Sequence, residues 1–211
     1  MAAAAASIKA IAPSEVRQIC AGQVVVDLGG AVKELLENAL DAKPRCIQVR
    51  LHDLGASLIE VIDDGAGVPP PDRPLLCAKH ATSKLTNFDD LYSDKTDEAV
   101  CSFGFRGEAL FSLSQLCDKV SFITRTAQES MGEYLEFDRS STVVSKATKK
   151  QARERGTTVQ VHNLFAALPV RRADFVKRIK SQRIKLFKML QVSAKKSLGG
   201  ERRRSGRRAK A

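Results

Sequence analysis

The chain has 211 residues, a formal net charge of +11 and 43% hydrophobic residues, enough for one sizeable hydrophobic core. No apolar run approaches the roughly 18 residues of a membrane-spanning helix, so we expect a soluble protein. The five cysteines are scattered without CxxC spacing and the three histidines without HExxH spacing. These patterns argue against a zinc site and favour buried, reduced thiols in a cytosolic or nuclear protein.

Positive charge is concentrated in the C-terminal third of the chain. Residues 144–211 contain 21 Lys and Arg against 3 Asp and Glu. So dense a positive charge attracts a polyanion such as nucleic acid. A solvated basic surface followed by a disordered tail explains the same composition, and the sequence leaves both interpretations open.

Two helices are predicted near the N-terminus. We expect residues 1–8 to form a disordered arm. Ser14 can cap a short helix that ends at Gly22, and Gly29-Gly30 can open a second one from about Ala31 to Ala42. Apolar residues recur at helical spacing within the second helix, at Val32, Leu35, Leu36, Ala39 and Leu40.

The second helix also carries a polar face. Glu34, Asn38 and Asp41 fall at i, i+4 and i+7, which places the three side chains together away from the apolar stripe. Such a face is either solvated or part of a site.

Two strands should follow, at residues 46–51 and 57–62, with a turn around Gly55. The second strand runs into the acidic, glycine-rich segment at residues 63–67, and Pro69-Pro70-Pro71 then takes the chain out of the sheet. Residues 85–102 are polar without a clear period, as is typical of a loop or lid.

The remaining elements alternate strands with helices. We predict a helix over 108–116, strands near 119–125, 133–138, 142–146 and 156–162, and one long helix over 173–193. In that helix Phe175, Ile179, Leu186 and Leu190 face inward. The order predicts an α/β (α+β) two-layer sandwich with a mixed sheet, formed by residues 9–194, and a basic, disordered tail at 195–211.

Three weak motifs become informative together. Gly104 and Gly107 bracket Phe105-Arg106 before a helix, and exposed backbone N–H groups at such a start can bind phosphate oxygens. An Asn with a nearby carboxylate suits Mg²⁺, which prefers few protein oxygens. A carboxylate one helical turn away could orient or deprotonate water.

Six segments make the chain recognisable. In order and spacing they resemble MutL-type DNA mismatch repair proteins, most closely the post-meiotic segregation branch: KELLENALDA, DDGAG, KHATSK, FGFRGEAL, RGTTVQV and LFAALPVRR. MutL belongs to the GHKL ATPases, with gyrase, heat-shock chaperones and histidine kinases. The resemblance implies the GHKL (Bergerat) ATP-binding fold, with ATP and Mg²⁺ as ligands.

The resemblance also implies roles for individual residues. Glu34 corresponds to the general base and Asn38 to the Mg²⁺ ligand. Asp63 corresponds to the carboxylate that binds the adenine amino group, beside Gly65 and Gly67. Thr157 or Thr158 supports the adenine pocket.

Other matched residues should contact the phosphates. They are the lid residues Thr82, Ser83 and Lys84 and the triphosphate-wrapping segment Gly104, Phe105, Arg106, Gly107, Glu108, Ala109 and Leu110. For Arg106, a phosphate contact and a structural ion pair are both open. Cys101, Cys117 and His80 are expected to be packing residues.

Two departures from the family pattern qualify the expected activity. A proline-rich stretch at residues 69–74 replaces the usual acidic helix start and should shorten or shift the following helix. MutL proteins also continue into a second domain, which supplies a phosphate-contacting lysine, and a C-terminal dimerisation region, so the chain resembles a truncated form. We therefore predict ATP binding with weak or absent hydrolysis in nuclear mismatch repair, with DNA and a MutL homologue as partners. A non-catalytic nucleic-acid-binding fragment and an inert truncation product are the alternatives.

Overall fold

The computed structural model describes residues 10–79, 81, 107–144 and 148–191. Its helices are α1 (Pro13–Val24), α2 (Leu28–Asp41), α3 (Ala109–Leu116), α4 (Pro169–Lys177) and α5 (179–191). Its strands are β1 (Ile47–His52), β2 (Leu58–Asp63), β3 (Lys119–Arg125), β4 (Gly132–Phe137), β5 (Lys149–Gln151) and β6 (Gly156–His162). None of the described helices is long and apolar enough to cross a membrane.

The strands form one sheet in the order β1-β2-β6-β3-β4-β5. Every described strand pair is antiparallel. The predicted two-layer sandwich is confirmed, but the described sheet is antiparallel throughout where we predicted a mixed one. The last strand, β6, lies between β2 and β3 and runs antiparallel to both. The ends of β2 and β3 therefore lie beside the beginning of β6, although the three strands are far apart in the sequence.

The core lies between one face of the sheet and the helices. Alternate residues of the strands point inward, and α2 contributes an apolar stripe. Its buried apolar residues include Leu28, Val32, Leu35, Ile59, Val61, Leu113, Val120, Phe122, Phe137, Val159, Val161, Phe165 and Phe175.

The N-terminal helices begin at residues other than those predicted. Ala12, not Ser14, precedes α1, and its N–H donates to Glu15 Oε2 (3.3 Å). Helix α2 begins at Leu28 because Asp27 caps it, its Oδ1 accepting the Gly30 N–H at 2.8 Å. Gly29 and Gly30 therefore lie inside the first turn of the helix, since a capping carboxylate satisfies the N–H groups that would otherwise favour a later start.

Three other predictions need correction. Of the strand expected over 142–146, the described residues 142–144 contain only an isolated bridge between Phe137 and Val143, and the short β5 lies at Lys149–Gln151. The long helix is two helices, interrupted at Arg178. Two of the thiols expected to be buried, Cys20 and Cys46, are exposed, while Cys77 and Cys117 are buried.

In the described residues, the proline-rich segment contains no α-helix. Residues Pro70–Leu75 form only a short 3-10 helix. Because its first residues are prolines and Pro74 lies inside it, it cannot make a regular ladder of backbone hydrogen bonds. The segment is held by its side chains, above all by Arg73.

Candidate nucleotide-binding site

The carboxylate of Asp63 lies at the end of β2, at the edge where β2 and β3 end and β6 begins. Its Oδ1 accepts the N–H of Gly65 (2.9 Å) and the N–H of Thr157 (3.2 Å). The side chain is 5% exposed. Because both bonds use Oδ1, Oδ2 has lone pairs to offer to a ligand.

Burial raises the pKa of Asp63 above its usual value, although the two backbone N–H groups and the charge of Arg153 oppose that shift. A desolvated carboxylate that is already oriented binds a donor strongly, because little water competes for it. The arrangement suits recognition of a planar group that carries an N–H donor.

Glycines let the backbone approach Asp63 closely. A Cβ atom on Gly156, whose φ is +125°, would lie 2.1 Å from the Asp63 carbonyl oxygen. One on Gly67, at φ +76°, would lie 2.2 Å from the Arg125 carbonyl oxygen. No other residue type fits either position without a shift of the backbone.

A hydroxyl cluster supports the same edge from β3. Thr124 Oγ1 accepts the Val68 N–H at 2.9 Å and lies 3.1 Å from Thr157 Oγ1. Thr124 and Thr157 are both buried. The two threonines therefore connect the turn after Asp63 to β3 and β6.

Of the two threonines left open by the sequence, Thr157 adjoins Asp63. Its side chain lies on the same face of the sheet as the core residue Val159, which is two positions further along β6. Thr158 pairs with Ile62 and Ile123 and projects to the opposite face. The geometry thus favours Thr157 for the pocket.

The C-terminal end of helix α2 contacts this turn. The Ala66 N–H donates to the Ala42 carbonyl oxygen at 3.0 Å, and a Cβ atom on Gly65 would lie 2.7 Å from Ala42. Asn38 and Glu34 precede Ala42 by four and eight residues, so they follow the same helix face at about 6 Å per step. Both are half-buried.

Gly107, just before α3, lies beside Ala81. A Cβ atom on Gly107, which has φ +60°, would lie 2.4 Å from the Ala81 carbonyl oxygen. Glu108 then precedes α3, whose first residues are Ala109 and Leu110. The two ends of the segment between residues 81 and 107 are therefore adjacent.

Several predicted site residues lie outside the described residues: Thr82, Ser83, Lys84, Gly104, Phe105 and Arg106, together with His80 and Cys101. In the described part of the chain, no three His, Cys, Asp or Glu residues are grouped so that they could hold a metal ion.

Residue-by-residue reasoning missed the supports of Asp63. Gly156 and Thr124 lie next to the carboxylate or its turn, and Arg153 donates to the Asp63 carbonyl oxygen at 3.0 Å. The glycine of the RGTTVQV motif was the only available signal, because the contacts with Asp63 join residues 90 or more positions apart and the bond from Val68 to Thr124 joins residues 56 apart.

The comparisons with known proteins agree with this geometry. Residues 23–167 match the family described as histidine kinase-, DNA gyrase B- and HSP90-like ATPase. The mismatch repair endonuclease pms1 of Dictyostelium discoideum is 44% identical over 187 residues, which are 89% of this chain and 17% of that protein.

Two solved structures are also similar. A crystal structure of the N-terminal domain of a DNA repair protein has a TM-score of 0.71 at 38% identity, covering 86% of this chain and 50% of that one. The Aquifex aeolicus MutL ATPase domain complexed with ADP has a TM-score of 0.57 at 29% identity, covering 80% and 55%.

The chain matches only one part of these larger proteins. The chain spans about a fifth of the length of the curated relatives it matches, so it corresponds to the ATPase-domain part of MutL and PMS proteins. The predicted MutL resemblance is confirmed. With 145 of its residues matched, the chain belongs to the histidine kinase-, DNA gyrase B- and HSP90-like ATPase family.

Proposed function

We propose that this chain binds ATP with Mg²⁺ and that Asp63 selects adenine. The observation that carries the proposal is the Asp63 carboxylate, buried and fixed through Oδ1 by the N–H groups of Gly65 and Thr157. Oδ2 then accepts the adenine amino group, while Gly65 and Gly67 let the backbone pass close to the base. The ADP complex of the similar MutL ATPase domain supports the proposal.

Two residues of α2 are proposed to act near the phosphates. Asn38 offers an amide oxygen for Mg²⁺, and Glu34, one turn earlier, orients or deprotonates the attacking water. Oxygen donors in small number fit Mg²⁺, which keeps waters and phosphate oxygens as its remaining ligands. When bound, the ion would neutralise charge on the phosphates.

The remaining matched residues are proposed to bind the triphosphate. Thr82, Ser83 and Lys84 would contact it from the lid, and Gly104 to Leu110 would cover it at the start of α3.

Titration with labelled ATP and Mg²⁺ tests binding, with the Asp63→Asn variant as the specific probe. The amide introduced by this substitution must keep its oxygen on the two backbone N–H groups, so its N–H₂ faces the adenine amino group, donor against donor. We expect ATP affinity to fall at least about tenfold and the preference for ATP over GTP to shrink, because guanine presents an oxygen there. An unchanged ATP to GTP ratio contradicts the assignment of Asp63.

The catalytic assignment has its own test. In Glu34→Ala, ATP binding should persist while any hydrolysis disappears, as expected of a residue that acts on water. Unchanged turnover removes Glu34 as the base. Arg178→Ala serves as a control, since Arg178 is exposed and pairs with Asp174 at 2.8 Å.

We further propose that the chain acts in DNA mismatch repair in the nucleus, in association with a MutL homologue. Its similarity to mismatch repair proteins of several eukaryotes supports this role. Co-purification of the tagged chain with a MutL homologue, with and without ATP, measures the association, and an interaction absent under both conditions contradicts it.

DNA is a second proposed partner, through the basic residues of 144–211. In the described part of that region the exposed cations include Lys149, Lys150, Arg155, Lys177, Lys180, Lys185 and Lys188. Binding to DNA should weaken steeply with salt. If the affinity does not respond to salt, or if removing residues 195–211 changes nothing, this assignment of the basic stretch fails.

A further inference from the structure

Arg153 is a half-buried arginine whose contacts are unlike those of the other cations near the site. One terminal nitrogen donates to the Ile123 carbonyl oxygen and the other to the Asp63 carbonyl oxygen at 3.0 Å. Ile123 is in β3 and Asp63 ends β2, with β6 between them. The guanidinium therefore bridges the two strands that flank β6.

The guanidinium lies close to the beginning of β6. Ile123 and Ile62, the residue before Asp63, both pair with Thr158, so Arg153 joins β2 and β3 beside the first residues of β6. A carbonyl group at a partly buried edge needs a hydrogen-bond donor. The forked donors of one guanidinium can satisfy two such groups at once.

Charge is the second contribution. Asp63 is influenced by two charged groups: Asp64, adjacent in the chain, opposes its ionisation, and Arg153 favours it. Asp64 is itself occupied elsewhere, since its Oδ1 accepts the N–H groups of Arg45 (2.7 Å) and Cys46 (2.9 Å), and Arg155 donates to its carbonyl oxygen. Arg125 repels Arg153 rather than acting on Asp63.

We propose that Arg153 is a positioning residue for adenine recognition: it fixes the backbone from which the Asp63 side chain projects and supplies the positive charge that keeps the buried carboxylate ionised. The inference rests on the proposed function of Asp63. It assigns to the segment between β5 and β6 a part in nucleotide selection although Arg153 itself need not touch the base.

The pH dependence of ATP affinity distinguishes this role from simple structural support. Without the charge of Arg153, burial raises the pKa of Asp63 further, so the carboxylate is protonated at higher pH. For Arg153→Met we expect the ratio of its ATP dissociation constant to that of the wild type to increase as the pH falls. The titration of ATP itself is common to both proteins and cancels in this ratio.

Matched variants complete the experiment. Arg153→Gln retains one amide donor without the charge and should show the same pH effect with a smaller loss of thermal stability, which covers the case in which Arg153→Met unfolds. Arg153→Lys keeps the charge and should restore the wild-type pH profile. Arg50→Met removes an exposed arginine that bonds only to Gln48 in the described residues and should change neither property.

The outcomes separate the inference from the proposed function. A dissociation-constant ratio for Arg153→Met and Arg153→Gln that does not vary with pH overturns the electrostatic role, even if both variants are less stable. Failure of the wild-type chain to bind ATP at any pH instead overturns the proposed function. In the background of Asp63→Asn, Arg153→Gln should add no pH dependence, because the group that titrates has gone.

Discussion

Two consecutive parts of the chain are held in place by different physics. The turn at Asp63–Gly67 is fixed by backbone donors and by glycines that permit close approach. The next segment, Val68–Leu75, is fixed by one buried arginine: Arg73 is 2% exposed and pairs with Glu129 at 2.5 Å and Glu133 at 2.6 Å. Two adjacent segments are thus anchored differently, the first by backbone donors and the second by buried ion pairs.

The contrast has a chemical basis. A proline-rich segment has few N–H groups to donate, and it cannot be anchored by a regular helix. Arg73 substitutes for that anchoring, since its Nε donates to the Val68 carbonyl oxygen at 3.1 Å while its terminal nitrogens reach the β3–β4 connection and β4. The turn, by contrast, must leave a carboxylate oxygen available, and backbone donors do this without adding a competing side chain.

The largest effect is expected from breaking the close approach at the turn, with Gly156→Ala. Its Cβ would lie 2.1 Å from the Asp63 carbonyl oxygen in a backbone conformation of positive φ. We expect a loss of about 3 kcal/mol or more in the free energy of unfolding, together with weaker ATP binding, measured by denaturant titration and ligand titration. A variant as stable as the wild type would show that the backbone at this edge can move freely.

Removing the ion pairs of Arg73 should lower the free energy of unfolding slightly less than Gly156→Ala does. Arg73→Met leaves Glu129 and Glu133 without their buried partner, and we expect about 3 kcal/mol of destabilisation. The matched control is Arg178→Met, which removes an exposed pair with Asp174 (2.8 Å) and should cost less than about 0.5 kcal/mol. Equal effects of the two substitutions in urea unfolding would contradict the importance of the Arg73 anchor.

Glu129, which pairs with Arg73, and Asp63, in the turn, should change the free energy of unfolding with pH in opposite directions. Hydrogen bonding from Arg73 lowers the pKa of Glu129 to about 2, against the opposing effect of burial. Its stabilising contribution is therefore complete above its unfolded value and is lost as the pH falls from about 4.5 toward 2. The pKa of Asp63 is raised instead, so its ionisation destabilises the native state as the pH rises through the folded value.

Substitution isolates these two carboxylates. Relative to wild type, Glu129→Gln should be less stable at neutral pH and its deficit should shrink in acid. Asp63→Asn should show the reverse trend, close to wild type in acid and equal or more stable at neutral pH. Thermal melting between about pH 3 and about pH 7 gives, for each variant, the change with pH of its stability difference from the wild type. If this difference changes in the same direction for both variants, the opposite roles of the two carboxylates are contradicted.

The sequence predicted the layers of this fold better than its boundaries. The polar and apolar faces of α2 and the alternation of the strands were correctly predicted, because periodicity reports directly which face is buried. The break at Arg178 was not predicted, since Phe175 and Ile179 keep helical spacing across it. The short β5 escaped because Lys149–Gln151 has no apolar residue to mark a strand.

The site divides in the same way. Glu34 and Asn38 could be grouped from local spacing, and Asp63 and its glycines through family resemblance. The Arg73 anchor could not be predicted, because Glu129 and Glu133 are 56 and 60 residues away and no local pattern links them. Contacts made only by tertiary structure are the ones that sequence reasoning misses.

The smallest effect sharpens the comparison by showing that not every glycine near the site is required. Gly30 lies in the first turn of α2, and a Cβ atom there would be 3.6 Å from Asp27 Oδ1, an ordinary contact. Gly30→Ala keeps the N–H that Asp27 accepts and reduces the freedom of the unfolded chain, so it should stabilise the protein by about 0.5–1 kcal/mol. If denaturant titration shows destabilisation instead, the N-terminal turn of α2 is under a constraint that its hydrogen bonds do not reveal. A gain in stability beside the loss expected for Gly156→Ala would confine the need for glycine to the backbone around Asp63.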